Sequence, residues 1–179
     1  MTGPTLSPYK DRLTEAMKLV SEHDNIIFIG QQILYAGNPM STTLGHISKD
    51  KMVELPVMEE TQMGMTLGLA MTGKTVVSFY PRWDFIILAM NQLVNHIDKF
   101  RHMTGILPNI IIRLGKGSDK PLDPGHQHKG NYLNEFKSIC KNITFNDLTE
   151  VDKILPSYET ALRGGVHIMV EYPELYYIQ

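Results

Sequence analysis

Cysteine is almost missing from this chain of 179 residues. Cys140 stands alone, so no intrachain disulfide can form and no cysteine cluster can hold a metal. A single thiol suits a reducing compartment. No apolar run reaches the roughly 18 residues that a helical membrane span needs. The opening, Met1 to Asp11, lacks a basic segment followed by an apolar one and does not read as a secretion signal. A cytoplasmic protein is therefore the expectation. Neither sign of charge dominates, with 17 Lys and Arg against 19 Asp and Glu and a formal net charge of -2. That balance gives no reason to expect nucleic acid or an anionic membrane surface as a partner. Internal repeats and low-complexity segments are absent too.

What is present is an ordinary globular composition, 42% hydrophobic and 20% charged. The length suits one domain over residues 1–179 with one sizeable core. The 11 methionines read as soft core filling. Apolar, β-rich runs alternate with longer helical patterns, the mark of a sheet covered by helices. The strand-like runs are 25–30, 51–55, 75–80, 109–114, 142–145 and 166–171. A first helix follows the Ser7-Pro8 cap, and a second runs from Pro56 to about Thr72, closed by Gly73. The longest spans Asp84 to about Thr104, with Ile87, Met90, Leu93, Val94 and Ile97 as its apolar stripe. Two more cover about 132–140 and the stretch from Thr149, where Pro156 either kinks the helix or moves its start. The expectation is an α/β three-layer sandwich, with a mostly parallel sheet of about six strands flanked by helices.

Ligands of such sheets sit at the carboxyl ends of the strands. The loops there begin at Gly30, Pro56, Tyr80 and Leu114. After the second strand comes Pro56-Val57-Met58-Glu59-Glu60. Two acids at a helix start can simply complement its dipole, or one can be sheltered among apolar side chains and share a proton with a ligand base. After the third strand, Tyr80-Pro81-Arg82-Trp83-Asp84-Phe85 offers aromatics that either stack on a flat ring or seal the next helix. The loop after the fourth carries Lys116, Asp119, Lys120, Asp123, His126 and His128. Its histidines could contact substrate, lie in a solvated loop or, with a thin ligand set, bind metal. Gly115-Lys116-Gly117-Ser118 is only part of a phosphate loop, and no Gly-x-Gly-x-x-Gly follows the first strand, which counts against a free-standing nucleotide-binding protein. His96, His102, His167 and Cys140 read as structural.

The run Leu55-Pro56-Val57-Met58-Glu59, followed by Gly64, Gly68, Ala70 and Gly73, resembles the pyrimidine-binding domain of transketolase-like thiamine-diphosphate enzymes. Phe85, Ala89, Asn91-Gln92 and Asn95 continue the resemblance, which is nearest to the β subunits of pyruvate and branched-chain 2-oxoacid dehydrogenases. His128 with Tyr132 and Phe136 resembles the family's histidine loop, and 166–176 its closing strand. The resemblance implies that Glu59 hydrogen-bonds a ring nitrogen of the aminopyrimidine, that Met58 and Phe85 help bind that ring, and that His128 faces the substrate. It implies thiamine diphosphate shared with a partner and a 2-oxo acid or ketose as substrate. The chain contains no Gly-Asp-Gly motif. In this superfamily that motif holds diphosphate and Mg2+, so an α-type subunit is expected to carry it, in a heterotetramer of two α and two β chains that is inactive without both. No metal is expected on this chain.

Three features differ from the family. Gln31 and Gln32 stand where two acids are usual. Lys129-Gly130 stands where Ser-Gln usually follows the histidine. The family's C-terminal domain is expected to be missing. A proton relay between sites and a substrate preference therefore do not carry over. A non-catalytic interaction or regulatory module on the same fold is the alternative expectation.

Overall fold

The computed structural model describes residues 7–35, 37–120 and 122–177. Residues 1–6, part of the segment read for a secretion signal, lie outside the described residues. Six strands form one all-parallel sheet: β1 (Ile26–Gly30), β2 (Met52–Glu54), β3 (Thr75–Tyr80), β4 (Asn109–Gly115), β5 (Thr144–Asp147) and β6 (Gly165–Glu171). Their spatial order is β2-β1-β3-β4-β6-β5. Every pairing is parallel, so each connection crosses a face of the sheet and both faces are covered. The strand alternation shows how. Val77, Phe79, Ile111 and Met169 face one core with α1 (Pro8–Ser21) and α6 (Val151–Ala161). Val76, Tyr80, Ile110, Ile112 and Ile168 face the other, with α2 (Glu59–Met71) and the helical segment after β3.

Chain order reverses direction at β1, whose neighbours are β2 on one side and β3 on the other. A switch point of this kind opens a crevice at the carboxyl ends of the strands. Gly30 ends β1 there at φ +155°, and a Cβ on it would lie 2.7 Å from the Phe79 carbonyl oxygen, so only glycine fits.

The expected helix from Asp84 to Thr104 is not continuous. It breaks into α3 (Trp83–Ile86), a 3-10 turn at Ile87–Ala89, a π-helical stretch at Gln92–Ile97 and α4 (Phe100–Thr104). Asp98 N–H donates to the Leu93 carbonyl at 2.9 Å, the wide spacing of a π turn. These changes of pitch rotate the buried face. Ile86, Ala89, Leu93, Ile97 and Phe100 are buried, whereas Ile87 is 43% exposed and Leu88 63%. The second helix also starts three residues later than Pro56, at Glu59. Pro156 lies inside α6, whose helix continues through it. Shorter helical pieces complete the layers: α5 (Leu133–Ile139), the turn His126–His128 that precedes it, and turns at Met40–Thr43, Lys49–Lys51 and Pro173–Leu175. No helix among the described residues is long and apolar enough to cross a membrane.

His167 on β6 is 6% exposed, with Nε2 3.3 Å from the Gly164 carbonyl oxygen. Burial holds its pKa below the ordinary 6.5, against the opposing effect of that backbone contact. As pH falls through 6.5 the unfolded chain takes up a proton that the folded chain resists. Stability is therefore fully present above that pH and declines below it. Urea midpoints at about pH 7.5 and about pH 5.5 are expected to differ less in His167→Gln than in the parent. An unchanged difference assigns the acid sensitivity to other groups.

Candidate functional site

Four strand ends converge at the carboxyl edge. From β2 the chain passes through Leu55, whose N–H donates to the Gly30 carbonyl at 2.8 Å, and then enters α2 at Met58. Met58 is half-buried and lies just outside the helix at φ -158°, ψ 61°, which makes Glu59 the first helical residue. The adjacent acids divide. Glu60 is exposed and free to complement the helix dipole, while Glu59 is 4% exposed. Oε1 of Glu59 is buried and has no hydrogen-bond partner among the described residues. Tyr80, from the end of β3, donates to the Glu59 backbone carbonyl at 3.1 Å and braces the helix start. Burial, together with the adjacent Glu59, raises the pKa of the Tyr80 hydroxyl and keeps it a donor. Below this turn, Gln62 Nε2 reaches the Phe79 carbonyl at 2.9 Å and Thr66 donates to Ser78 at 2.8 Å, pinning α2 to β3.

The aromatics after β3 also divide. Tyr80 is 1% exposed, and Trp83 is fully buried against Phe136, ring centroids 4.8 Å apart. Phe85 alone of these rings is half-buried, and it meets His128, centroids 5.4 Å apart at an interplanar angle of 45°. His128 Nδ1 is buried without a hydrogen-bond partner among the described residues. Helix α2 packs against α3 and the 3-10 turn after it, which brings the start of α2 and the Phe85–His128 pair to the same edge. The four residues singled out from sequence, Met58, Glu59, Phe85 and His128, thus all lie on the carboxyl-edge connections.

Several residues that position this edge were not singled out. Arg82 Nη1 donates to the His128 carbonyl at 3.2 Å. Asp84 accepts from Gly130 N–H at 3.2 Å and from the Tyr132 hydroxyl at 3.4 Å. Together they clamp the histidine loop onto α3. The glycines of the partial phosphate-loop motif serve the same packing: a Cβ on Gly117 would lie 2.1 Å from the Lys129 carbonyl carbon, and Gly117 N–H donates to the Gly130 carbonyl at 3.0 Å. In the loop after β1, Gln32 adopts φ +56°, and the N–H groups of Gln32, Ile33 and Leu34 converge on the Glu54 carboxylate at 2.6, 2.9 and 2.9 Å. The loop therefore forms an anion nest filled by the neighbouring strand's own acid. An acid ending a strand beside a glycine-ended neighbour was the one available sequence hint.

The residues expected to be structural sit away from this edge. His102 Nε2 lies 2.9 Å from Asn142 Oδ1, and His96 is exposed. Cys140 is 3% exposed and its thiol pKa is pushed up to about 11 by burial, with Asp98 adding to the rise, which makes it a poor nucleophile. No group of three or more His, Cys, Asp or Glu suited to a metal occurs among the described residues. On the connections that leave this edge several apolar side chains stay in water: Val57 is 76% exposed, and Ile87 and Leu88 are exposed as well.

No family model matches the chain. Among curated proteins, it is 29% identical over 126 residues to the pyruvate dehydrogenase E1 component subunit beta of Gracilaria tenuistipitata var. liui, covering 66% of this chain and 39% of that one. It is 28% identical over 98 residues to the 2-oxoisovalerate dehydrogenase subunit beta of Bacillus subtilis, covering 52% of this chain and 30% of that one. It is 25% identical over 145 residues to the acetoin:2,6-dichlorophenolindophenol oxidoreductase subunit beta of the same organism, covering 72% and 42%. The chain thus spans less than half the length of these relatives. Among solved structures, a split gene transketolase, described as an inactive beta4 tetramer, superposes with a TM-score of 0.72 at 15% identity, over 96% of this chain and 53% of that one. Sequence and fold together make the chain a homologue of part of the β subunits of pyruvate and 2-oxoisovalerate dehydrogenases, built on the transketolase-like α/β fold.

Proposed function

We propose that this chain is the pyrimidine-binding subunit of a two-chain thiamine-diphosphate enzyme that cleaves or decarboxylates a 2-oxo acid or ketose and transfers the resulting carbanion or acyl unit. The carrying observation is the Glu59 carboxyl, 4% exposed at the carboxyl edge with Oε1 unpartnered among the described residues. A buried polar atom without a partner is costly, and sites that bind ligands are where such atoms persist.

The residues fit the cofactor's pyrimidine end. Glu59 offers a sheltered carboxyl to a weakly basic ring nitrogen, and Phe85 and Met58 offer apolar, polarisable surface to a flat heteroaromatic ring. The Gly-Asp-Gly motif, which holds diphosphate and Mg2+ in the superfamily the chain resembles, does not occur in the sequence. Diphosphate and Mg2+ therefore fall to an α-type partner, in an assembly of two α and two β chains. The exposed Val57, Ile87 and Leu88 on the connections that leave this edge are the kind of surface a partner covers.

When bound, thiamine diphosphate supplies the electron sink for breaking the bond next to the substrate carbonyl. This chain's part is to position and tune. Glu59 holds a proton at its carboxyl for exchange with the ring nitrogen, and shelter from water keeps that proton from leaking to solvent. Phe85 fixes the ring plane. His128, whose Nδ1 has no partner among the described residues and whose main chain is clamped by Arg82, moves a proton to or from the substrate.

Calorimetry tests the division of labour. Cofactor with Mg2+ is expected to give a saturable heat only when this chain is mixed with a partner carrying Gly-Asp-Gly. Equal affinity for the isolated chain contradicts the shared site.

A further inference from the structure

A second feature of the same edge is not explained by the pyrimidine site. A small cavity of about 120 Å³ opens among Asn38 and Pro39 of the loop after β1, Pro81 and Arg82 after β3, and Ser118 and Lys120 after β4. Its charge is one-sided. Arg82 is half-buried and has no carboxylate within 4 Å among the described residues, its hydrogen bond going to the neutral His128 carbonyl. The acids nearby in the chain are engaged elsewhere. Lys129 pairs with both Asp119 and Asp123, and Asp84 accepts from Gly130 and Tyr132. Ser118 Oγ accepts from Lys120 N–H at 3.1 Å, which leaves the hydroxyl proton able to donate.

We propose that this cavity binds a small oxyanion, a carboxylate or phosphate group, through the Arg82 guanidinium and the Ser118 hydroxyl. A guanidinium drawn out of water gains most from an anion, because its hydrogen bonds to charged acceptors are stronger than those to neutral ones. Burial accordingly lowers the pKa of Arg82, with Asp84 opposing the shift. The volume accommodates one such group rather than a nucleotide. Arg82 also holds the His128 main chain, so an anion here would sit one residue's reach from the histidine. That the oxyanion is the acidic end of the substrate rests on the functional reading above. The anion site itself does not.

The test uses the full chain and needs no cofactor. Inorganic phosphate and malonate are titrated separately, followed by amide and arginine side-chain NMR shifts. Saturable shifts centred on Arg82 and Ser118 are expected for at least one anion, with affinity reduced about tenfold or more in Arg82→Gln. Ser118→Asp keeps an acceptor for Lys120 N–H while placing a negative charge in the cavity, and is expected to abolish binding even if Arg82→Gln misfolds. Glu59→Gln is expected to bind as the parent does, so failure of the pyrimidine reading and failure of the anion site register separately. No saturable binding of either anion, or equal binding in the parent and in Ser118→Asp, overturns the proposal.

Discussion

Under the proposed function, Glu59→Gln in the assembly with an α-type partner is expected to lower kcat by about two to four orders of magnitude, the usual worth of a positioned proton donor, while leaving the fold intact. The substitution is nearly isosteric, and Oε1 of Glu59 has no hydrogen-bond partner to lose among the described residues. Its backbone carbonyl still accepts from Tyr80. Thermal midpoint and circular dichroism should therefore match the parent. The amide cannot hand a proton to a ring nitrogen and take it back. Glu59→Asp keeps the acid but withdraws it by one methylene, and misplacement on that scale is also costly to rate. Steady-state kinetics at saturating cofactor separates these effects from binding. Full activity in Glu59→Gln contradicts the assigned role and leaves the fold assignment standing.

Much of this edge was legible in the sequence because it is written in local patterns. Thr75 to Tyr80 is a run of apolar and β-branched residues closed by a proline, and the structure gives the same strand. Glu59 could be singled out as a candidate because proline, acid and small helix residues lie within one short segment, and the structure shows its burial. The interrupted helix after β3 was not legible. Ile87, Met90, Leu93, Val94 and Ile97 satisfy a uniform period of 3.6, but a 3-10 turn and a π turn change the pitch twice, and the buried face follows Ile86, Ala89, Leu93 and Ile97 instead. The clamps on His128 were hidden for a different reason. Arg82 and Asp84 are ordinary polar residues at a helix start, and their partners lie 46 residues away. Such pairings are set by packing, and a single sequence carries no trace of them.

The same limit concealed the most heavily buried charges in the molecule, and they carry the largest expected effect on stability. Arg113 reads as one polar residue in the strand Asn109-Ile-Ile-Ile-Arg-Leu, yet its side chain is fully buried and bonded to Glu171 through Nε at 2.6 Å and Nη2 at 2.9 Å. Tyr158 donates to the same carboxylate at 3.0 Å, Tyr176 donates to its other oxygen, and the guanidinium lies 5.5 Å from the Phe79 ring centroid. A pair of this kind adds little net stability over an apolar core, but losing one member strands the other. Glu171→Gln is therefore expected to cost about 3–5 kcal/mol, read from urea unfolding. Arg113→Met combined with Glu171→Gln removes the stranded cation while the glutamine oxygen still accepts a phenol. The double variant is expected to be more stable than the sum of the single effects allows. The consequence reaches the site, since the Glu171 carbonyl accepts from Lys116 N–H at 2.8 Å and so starts the loop that carries Ser118 and His128. Hydrogen exchange should show that loop opening more readily in the single variant than in the double. Unfolding of Glu171→Gln within about 0.5 kcal/mol of the parent, the range of an ordinary surface substitution, would mean that this carboxylate is not what keeps the buried guanidinium in place.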